Sequence, residues 1–222
     1  MKLFIFFLIF SYQILFSQKM NADYYLDFNG NKINKYEIDS YLKYPDYTVG
    51  FKITKDSGTV YQLNVPKYLS SKVEYQLIKN ELELITNKKY SDSTIFILNY
   101  NYLDDNCSSI FSNNVKKGNI LSRKKFYKSQ IKNIQKENKN IQFISLYDNS
   151  IQLKNNPKNS KEYFFSDRIN FFRNHLFFHP TSCGSFGIIN PNGETLVRNG
   201  EGRLDDMYKN LNPTIWKSIF QQ

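Results

Sequence analysis

The stretch "GIINPNGETLVRNGEGRLDDMYKNL", residues 187–211, carries the clearest fold signal in the sequence. Its Asn-Pro-Asn-Gly segment at 190–193 lies between two short runs of apolar and β-branched residues, which is typical of a turn between two strands. We therefore expect a β-hairpin with strands at 186–189 and 195–198. The spacing of apolar residues after the hairpin predicts a helix from 203 to 211.

The residues before this hairpin predict alternating strands and helices. The stretch "NIQKENKNIQFISLYD", residues 133–148, contains the end of one helix and the strand that follows it. Four elements are expected here, in chain order: a strand at 94–100, a helix at 123–138, a strand at 141–147 and a helix at 167–176 capped by Ser166. The full order is β-α-β-α-β-β-α, which predicts an α/β domain over residues 91–222.

The residues before this domain predict a small α+β module over 19–90. Two hairpins are expected: one joins strands at 24–28 and 32–34 through Asn29-Gly30, and the other joins strands at 47–55 and 59–65. A helix ending near Thr86 is expected to follow, with a capping box formed by Ser71 and Glu74.

The first 18 residues have the pattern of a signal peptide. Met1 and Lys2 give a short positive start, and an apolar run at 3–16 follows. This run is shorter than the roughly 18 to 20 residues that a membrane-spanning helix needs, and no second apolar run is long enough. We therefore expect a soluble secreted or periplasmic protein without a transmembrane span after cleavage.

The formal net charge of +10 is spread along the chain. The densest basic cluster is Arg123, Lys124, Lys125 and Lys128, and it falls on a predicted helix, where it is typical of a solvated face. A compact basic stripe is the usual sign of a nucleic-acid site. We therefore do not expect nucleic acid as a partner, and an envelope or secreted protein fits the predicted export better.

The order of elements, together with the two quoted stretches and Pro180-Thr181 before the hairpin, resembles the thioredoxin-like fold of secreted redoxins. The resemblance implies a catalytic Cys-x-x-Cys after the first strand of the domain, at the start of a helix. Here that region contains Cys107, and Ile110 occupies the position of the resolving cysteine. The neighbouring Asp104 and Asp105 would raise the pKa of a Cys107 thiol and oppose formation of the thiolate.

The resemblance also implies that the second cysteine, Cys183, lies near Cys107. Thioredoxin-like proteins begin the third strand with a cis-proline that faces the active-site loop, and Pro180 or Gly184 would occupy that position here. Two interpretations of the cysteines stay open. They form a structural disulfide, as is usual in exported proteins, or they form a redox-active pair.

Three further patterns do not predict catalytic or metal sites. His175, His179 and Cys183 recur every four residues, but Pro180 should end the helix that would align them, so no metal site is expected. Ser185 lacks the first glycine of a nucleophile elbow and precedes a hairpin strand. The sequence contains no phosphate-binding glycine loop, and no cofactor is predicted.

These observations favour an exported, non-catalytic binding or accessory protein with a degenerate thioredoxin-like domain and a structural Cys107–Cys183 disulfide. Its recognition surface would include Asp104, Asp105, His179 and Pro180. The alternative is an extracytoplasmic thiol-disulfide oxidoreductase in which Cys107 attacks and Cys183 resolves. A third class, adhesion of a basic protein to anionic surfaces, depends on net charge alone.

Overall fold

The computed structural model describes residues 23–27, 30–43, 48–54, 58–64, 67–103, 105, 113–156, 159, 161–181 and 183–221. The expected signal peptide at 1–18 lies outside the described residues. Asp104 and Cys107 do so as well.

The described residues from 23 to 64 form a four-stranded sheet and one helix. Its elements are β1 (Tyr24–Leu26), β2 (Lys32–Ile33), α1 (Lys35–Leu42), β3 (Thr48–Thr54) and β4 (Gly58–Asn64). The strand order is β2-β1-β4-β3, with β1 parallel to β4 and the other pairs antiparallel. Both predicted hairpins are therefore confirmed. Helix α1 was not predicted, although Asn34 and Glu37 form a reciprocal capping box at its start.

The other described residues form a six-stranded mixed sheet, one two-stranded ladder and five helices. The elements are β5 (Tyr68–Lys72), α2 (Tyr75–Thr86), β6 (Ile95–Asn101), β7 (Asn114–Val115), α3 (Lys117–Glu137), β8 (Ile141–Tyr147), β9 (Gln152–Leu153), β10 (Phe164–Ser166), α4 (Phe171–His175), β11 (Ser185–Ile189), β12 (Glu194–Asn199), α5 (Leu204–Lys209) and α6 (Pro213–Phe220). The larger sheet has the order β10-β8-β6-β11-β12-β5. The predicted mixed α/β class is thus confirmed.

The larger sheet has a parallel half and an antiparallel half. Strands β6, β8 and β10 run parallel, whereas β11 is antiparallel to β6, and β12 is antiparallel to both β11 and β5. Strand β6 lies where the two halves meet, and its side chains are almost all buried. Such a strand is covered on both faces, which explains its nearly continuous apolar sequence.

Helices cover both faces of the larger sheet. One face packs against α2 and α4, through a core that includes Ile78, Leu82, Leu98, Phe172 and Phe177. The other face packs against α3, α5 and α6, through a core that includes Ile97, Ile134, Phe186, Met207 and Trp216. The result is a three-layer α/β/α arrangement in which the sheet forms the middle layer.

One prediction in this region needs correction. Ser71 does not cap α2, because it lies in β5 and pairs with Thr195 of β12. Helix α2 begins after Glu74, whose side chain forms no cap within the described structure. Strand β5 belongs to the larger sheet and helix α2 to its core, so the division between the two sheets falls between β4 and β5. Pairing with a distant strand outweighed the local capping signal.

Helix lengths also differ from the prediction. Helix α3 begins at Lys117, six residues before the predicted start at 123, and α4 begins only at Phe171 instead of at 167. Asn170 precedes α4 with a φ of 55°, a left-handed conformation that interrupts any longer helix. Among the described helices, none is both long and apolar enough to cross a membrane.

Candidate functional site

The candidate site lies at the carboxyl end of β6. From β6 the chain passes through α3 to β8 on one side, whereas β11 lies on the other side of β6. In open α/β sheets, the crevice outside the carboxyl ends of the strands at such a reversal is the preferred ligand site. The residues that follow β6 and those that precede β11 meet at this end of the sheet.

Asp105 ties these two segments together. One carboxylate oxygen accepts a hydrogen bond from the backbone N–H of Cys183 at 2.8 Å, and the other accepts one from the N–H of Gly184 at 2.7 Å. A carboxylate that accepts two backbone N–H groups makes charge-assisted bonds, which are stronger than neutral ones. Two of the expected site residues, Asp105 and Cys183, are therefore in contact.

Cys183 forms a disulfide and is partly exposed. The sequence contains one other cysteine, Cys107, which lies outside the described residues. The backbone of Cys183 has a φ of 69°, and Gly184 follows with a φ of 72°. A left-handed conformation is uncommon for a residue with a Cβ and costs of order 1–3 kcal/mol, so it persists only where the surroundings of the residue hold it. The two hydrogen bonds to Asp105 supply such a constraint.

Three buried hydroxyl groups line the inner side of this turn. The Thr181 hydroxyl donates to the Gly184 carbonyl at 2.7 Å and lies 3.1 Å from Ser185 Oγ. It also accepts the N–H of Gly200 at 3.0 Å. The Tyr102 hydroxyl donates to Ser185 Oγ at 2.9 Å. Burial raises the pKa of Tyr102 above its usual range, so its hydroxyl stays protonated.

These contacts also settle the role of Ser185. It is fully buried and is the first residue of β11 in a hairpin, so it does not have the strand-to-helix turn of a nucleophile elbow. Its hydroxyl is held between two other hydroxyl groups and is not exposed to a substrate.

A buried carboxyl group lies beneath the same end of the sheet. Asp167 Oδ2 accepts hydrogen bonds from the Tyr100 hydroxyl at 3.2 Å and from the backbone N–H of Arg173 at 3.0 Å. Burial raises the pKa of Asp167, and the hydrogen bonds oppose this shift. The Arg173 guanidinium lies 5.4 Å from the centre of the Tyr102 ring and donates to the Phe177 carbonyl at 2.7 Å. Sequence reasoning missed Tyr100, Asp167 and Arg173 as parts of this region.

The other expected recognition residues, His179 and Pro180, lie just before the turn. His179 is partly buried, packs edge-on against Phe178 with ring centres 4.6 Å apart, and has a pKa lowered by burial and by the charge of Arg173. Pro180 is exposed. All peptide bonds between described residues are trans, so Pro180 does not supply the implied cis-proline. Gly184, not Pro180, directly precedes β11.

The histidines do not form a metal site with Cys183. Helix α4 ends at His175, so the four-residue spacing to His179 is not helical. His175 stacks on Phe171 at 4.3 Å, and its Nδ1 lies 2.8 Å from the Phe171 carbonyl oxygen. Within the described part of the chain, no group of three His, Cys, Asp or Glu side chains could hold a metal ion.

A buried polar network lies on the opposite face of β6. Asn101 donates to the side chains of Asn99 and Ser145 at 3.1 and 3.2 Å, and Ser145 donates to Asn99 at 3.0 Å. Arg123 of α3 donates to Asn101 and, at 3.2 Å, to Tyr147. The alternating asparagines at 99 and 101, in an otherwise apolar strand, were the signal that could have revealed it. This network fixes α3 against the carboxyl ends of β6 and β8.

Comparisons of the chain with protein-family models, with curated proteins and with solved structures gave no match. The geometry of the described residues is therefore the basis for the functional proposal.

Proposed function

We propose that the chain is an exported, non-catalytic binding or accessory protein with a degenerate thioredoxin-like domain. In this proposal, Cys183 and Cys107 form a structural disulfide, and the loops at 104–109 and 179–185 form the recognition surface. The observation that carries the proposal is the double hydrogen bond from Cys183 and Gly184 to Asp105.

The order of elements supports the thioredoxin-like part of the proposal. Strand β6, helix α3, strand β8, helix α4, strands β11 and β12 and helix α5 follow one another in the order β-α-β-α-β-β-α, on which the resemblance depends. The short strands β7, β9 and β10 are additions to that order. Because Ile110 replaces the resolving cysteine, a domain of this type would lack the usual dithiol.

The surroundings of Cys183 favour a structural disulfide over a catalytic one. Redox-active cysteines lie in electropositive surroundings that stabilise the thiolate. Here a carboxylate contacts the Cys183 backbone and disfavours a second negative charge nearby. The two loops are also joined by hydrogen bonds that do not involve sulfur. A disulfide between them would reinforce an existing contact, and by closing a long loop it would stabilise the fold by about 3–5 kcal/mol.

The proposal is tested by mapping the cysteines by alkylation and mass spectrometry across a graded redox buffer. A structural bridge should resist reduction until the potential falls below about −300 mV. The Cys107→Ser and Cys183→Ser variants should each lose about 3–5 kcal/mol of unfolding free energy. Neither the wild type nor the variants should catalyse the reduction of a model disulfide.

The alternative function is a thiol-disulfide oxidoreductase, and the observation that favours it is the left-handed, partly exposed Cys183. Strained backbone often marks functional sites. In this reaction the Cys107 thiolate attacks a substrate disulfide and releases one substrate thiolate. Cys183 then displaces the second one, which leaves the substrate reduced and the protein oxidised until an external dithiol reduces it again. Two results together would replace the structural proposal with this one. The wild type would reduce a model disulfide with turnover that the Cys107→Ser variant loses, and the disulfide of the protein would be reduced near −200 mV.

A further inference from the structure

A basic groove lies along helix α3, apart from the loops of the proposed recognition surface. It has a volume of about 750 Å³ and is lined by six lysines: Lys124, Lys125, Lys128, Lys132, Lys136 and Lys161. Five of these lie on the helix, and Lys161 comes from the segment before β10. Six of the lysines of the sequence are thus gathered on one surface here, and sequence reasoning did not predict this groove.

Most of this positive charge is unpaired. Lys124 forms a salt bridge with the buried Glu162 at 2.7 Å, and so its charge is largely neutralised. The other five lysines are exposed, and no salt bridge to any of them occurs within the described residues. Five ammonium groups around one groove attract an anion more strongly than separate surface charges would.

Three of these lysines lie along one line on the surface of α3. Lys128, Lys132 and Lys136 are four residues apart on one helix, so their Cα atoms rise by about 6 Å at each step. An extended peptide places every second side chain on the same side, about 6.6 Å apart. Acidic residues at alternate positions of such a peptide would therefore lie opposite successive lysines.

The lining of the groove also has an apolar part. It includes Ile131 and the ring of Tyr163, and the methylene stems of the lysines extend this apolar surface. The Tyr163 ring packs against Phe164 with ring centres 4.9 Å apart, and its hydroxyl donates to the Lys124 carbonyl at 3.2 Å. Single-strand binding stacks successive bases on aromatic rings, and Tyr163 is the only aromatic residue among the described residues that line the groove. A concave groove also does not match a flat membrane surface.

We propose that the α3 groove binds an extended acidic segment of a partner protein, in which acidic and apolar residues alternate. The acidic side chains contact the line of lysines, and the apolar side chains cover Ile131 and Tyr163. This proposal goes beyond the function proposed above, because none of the groove residues belongs to the loops at 104–109 and 179–185.

The test uses fluorescence anisotropy with the chain without residues 1–18 and a labelled peptide of eight alternating Glu and Leu residues. Replacing every Glu with Gln, or every Leu with Ser, should weaken binding at least ~10-fold, since both contacts contribute. Added salt should weaken the binding of the Glu–Leu peptide.

Matched variants locate the site. The Lys128→Glu/Lys132→Glu variant should bind about 10-fold more weakly. The Lys35→Glu/Lys43→Glu variant changes the net charge equally, at exposed positions around α1, and should bind as the wild type does. Equal losses in the two variants would overturn the proposal. Tighter binding of oligothymidylate, or of phosphatidylglycerol vesicles, than of the peptide would also overturn it, in favour of nucleic acid or a membrane.

Discussion

The carboxylate of Asp105 and the backbone N–H of Cys183 lie 2.8 Å apart and join the loop after β6 to the turn before β11. The second carboxylate oxygen binds the N–H of Gly184, so one side chain satisfies two adjacent backbone donors. Both donors would otherwise need water or another acceptor, because the turn is partly buried. Asp105 therefore has a structural role at the site, separate from any role of the disulfide.

The Asp105→Asn substitution should destabilise the protein by about 1–3 kcal/mol. An asparagine has one carbonyl oxygen, so either the Cys183 or the Gly184 N–H loses its acceptor, and the remaining bond loses its charge assistance. The measurement is urea unfolding with the disulfide intact. Asp206→Asn is the matched control, because Asp206 is exposed and its carboxylate forms a salt bridge with the exposed Lys209, and it should change the free energy by less than about 0.5 kcal/mol. Equal effects of the two substitutions would contradict the structural role of Asp105.

Gly184 approaches the neighbouring strand too closely to accept a side chain. A Cβ at this position would overlap the carbonyl oxygen of Tyr100, and the φ of 72° is itself unfavourable for other residues. Gly184→Ala should therefore destabilise the fold by at least ~2 kcal/mol and increase the proteolysis of the turn.

Gly118 provides the contrast for this substitution. It lies in the first turn of α3, where a Cβ would meet no atom of the described residues within 4 Å outside its own helix. Gly118→Ala should therefore stabilise the fold by about 0.5 kcal/mol, because alanine loses less backbone entropy in a helix. Thermal unfolding of both variants checks the pair. A Gly184→Ala variant as stable as Gly118→Ala would show that the turn does not have this close contact.

Local sequence signals predicted the helices and strands better than they predicted the candidate functional site. The hairpin around 190–193 and the strand at 141–147 were found because turn chemistry and continuous apolar runs act over a few residues. The contact between Asp105 and the turn at 183–184 depends on how the sheet places segments that are nearly eighty residues apart. The pairing of β5 with β12 is another long-range effect, and it replaced the capping box expected at Ser71.

The lysines of α3 illustrate a second limit of prediction from the sequence. Their helical positions were predicted, and they were interpreted as a solvated face. The groove depends on Lys161 and Tyr163, which come from a different segment, and no spacing rule relates that segment to α3.

Protonation of Asp167 should make stability depend on pH in an unusual direction. Burial raises its folded-state pKa above the ordinary value of 3.8. A carboxyl group of this kind contributes stability that is fully present below its unfolded pKa, and the contribution is lost as the pH rises through the higher folded pKa. The Asp167→Asn variant lacks this titration, so its stability relative to the wild type should improve as the pH rises from 3 towards 7.

Urea unfolding of both proteins across this pH range measures the effect, because the other titrating groups cancel in the difference. Glu201→Gln, at an exposed residue, is the control for replacing a carboxyl group with an amide. A difference that changes in the opposite direction for Asp167→Asn would show that the buried carboxyl group is more acidic when folded.

Trp216 should report the titration of Glu194 at the other end of the sheet. The indole N–H of this single tryptophan donates to Glu194 Oε2 at 2.6 Å, and this bond is the main cause of the lowered pKa of Glu194. The interaction is present above the ordinary glutamate pKa of 4.5 and is lost as the pH falls through the lowered folded-state pKa. Trp216 fluorescence should therefore change at a pH below 4.5 in the wild type.

Glu194→Gln keeps an acceptor but does not titrate, so the Trp216 emission of this variant should stay constant over the same range. Far-UV circular dichroism, recorded in parallel, separates this local change from acid unfolding, and an identical fluorescence titration in both proteins would show that Glu194 is not its source.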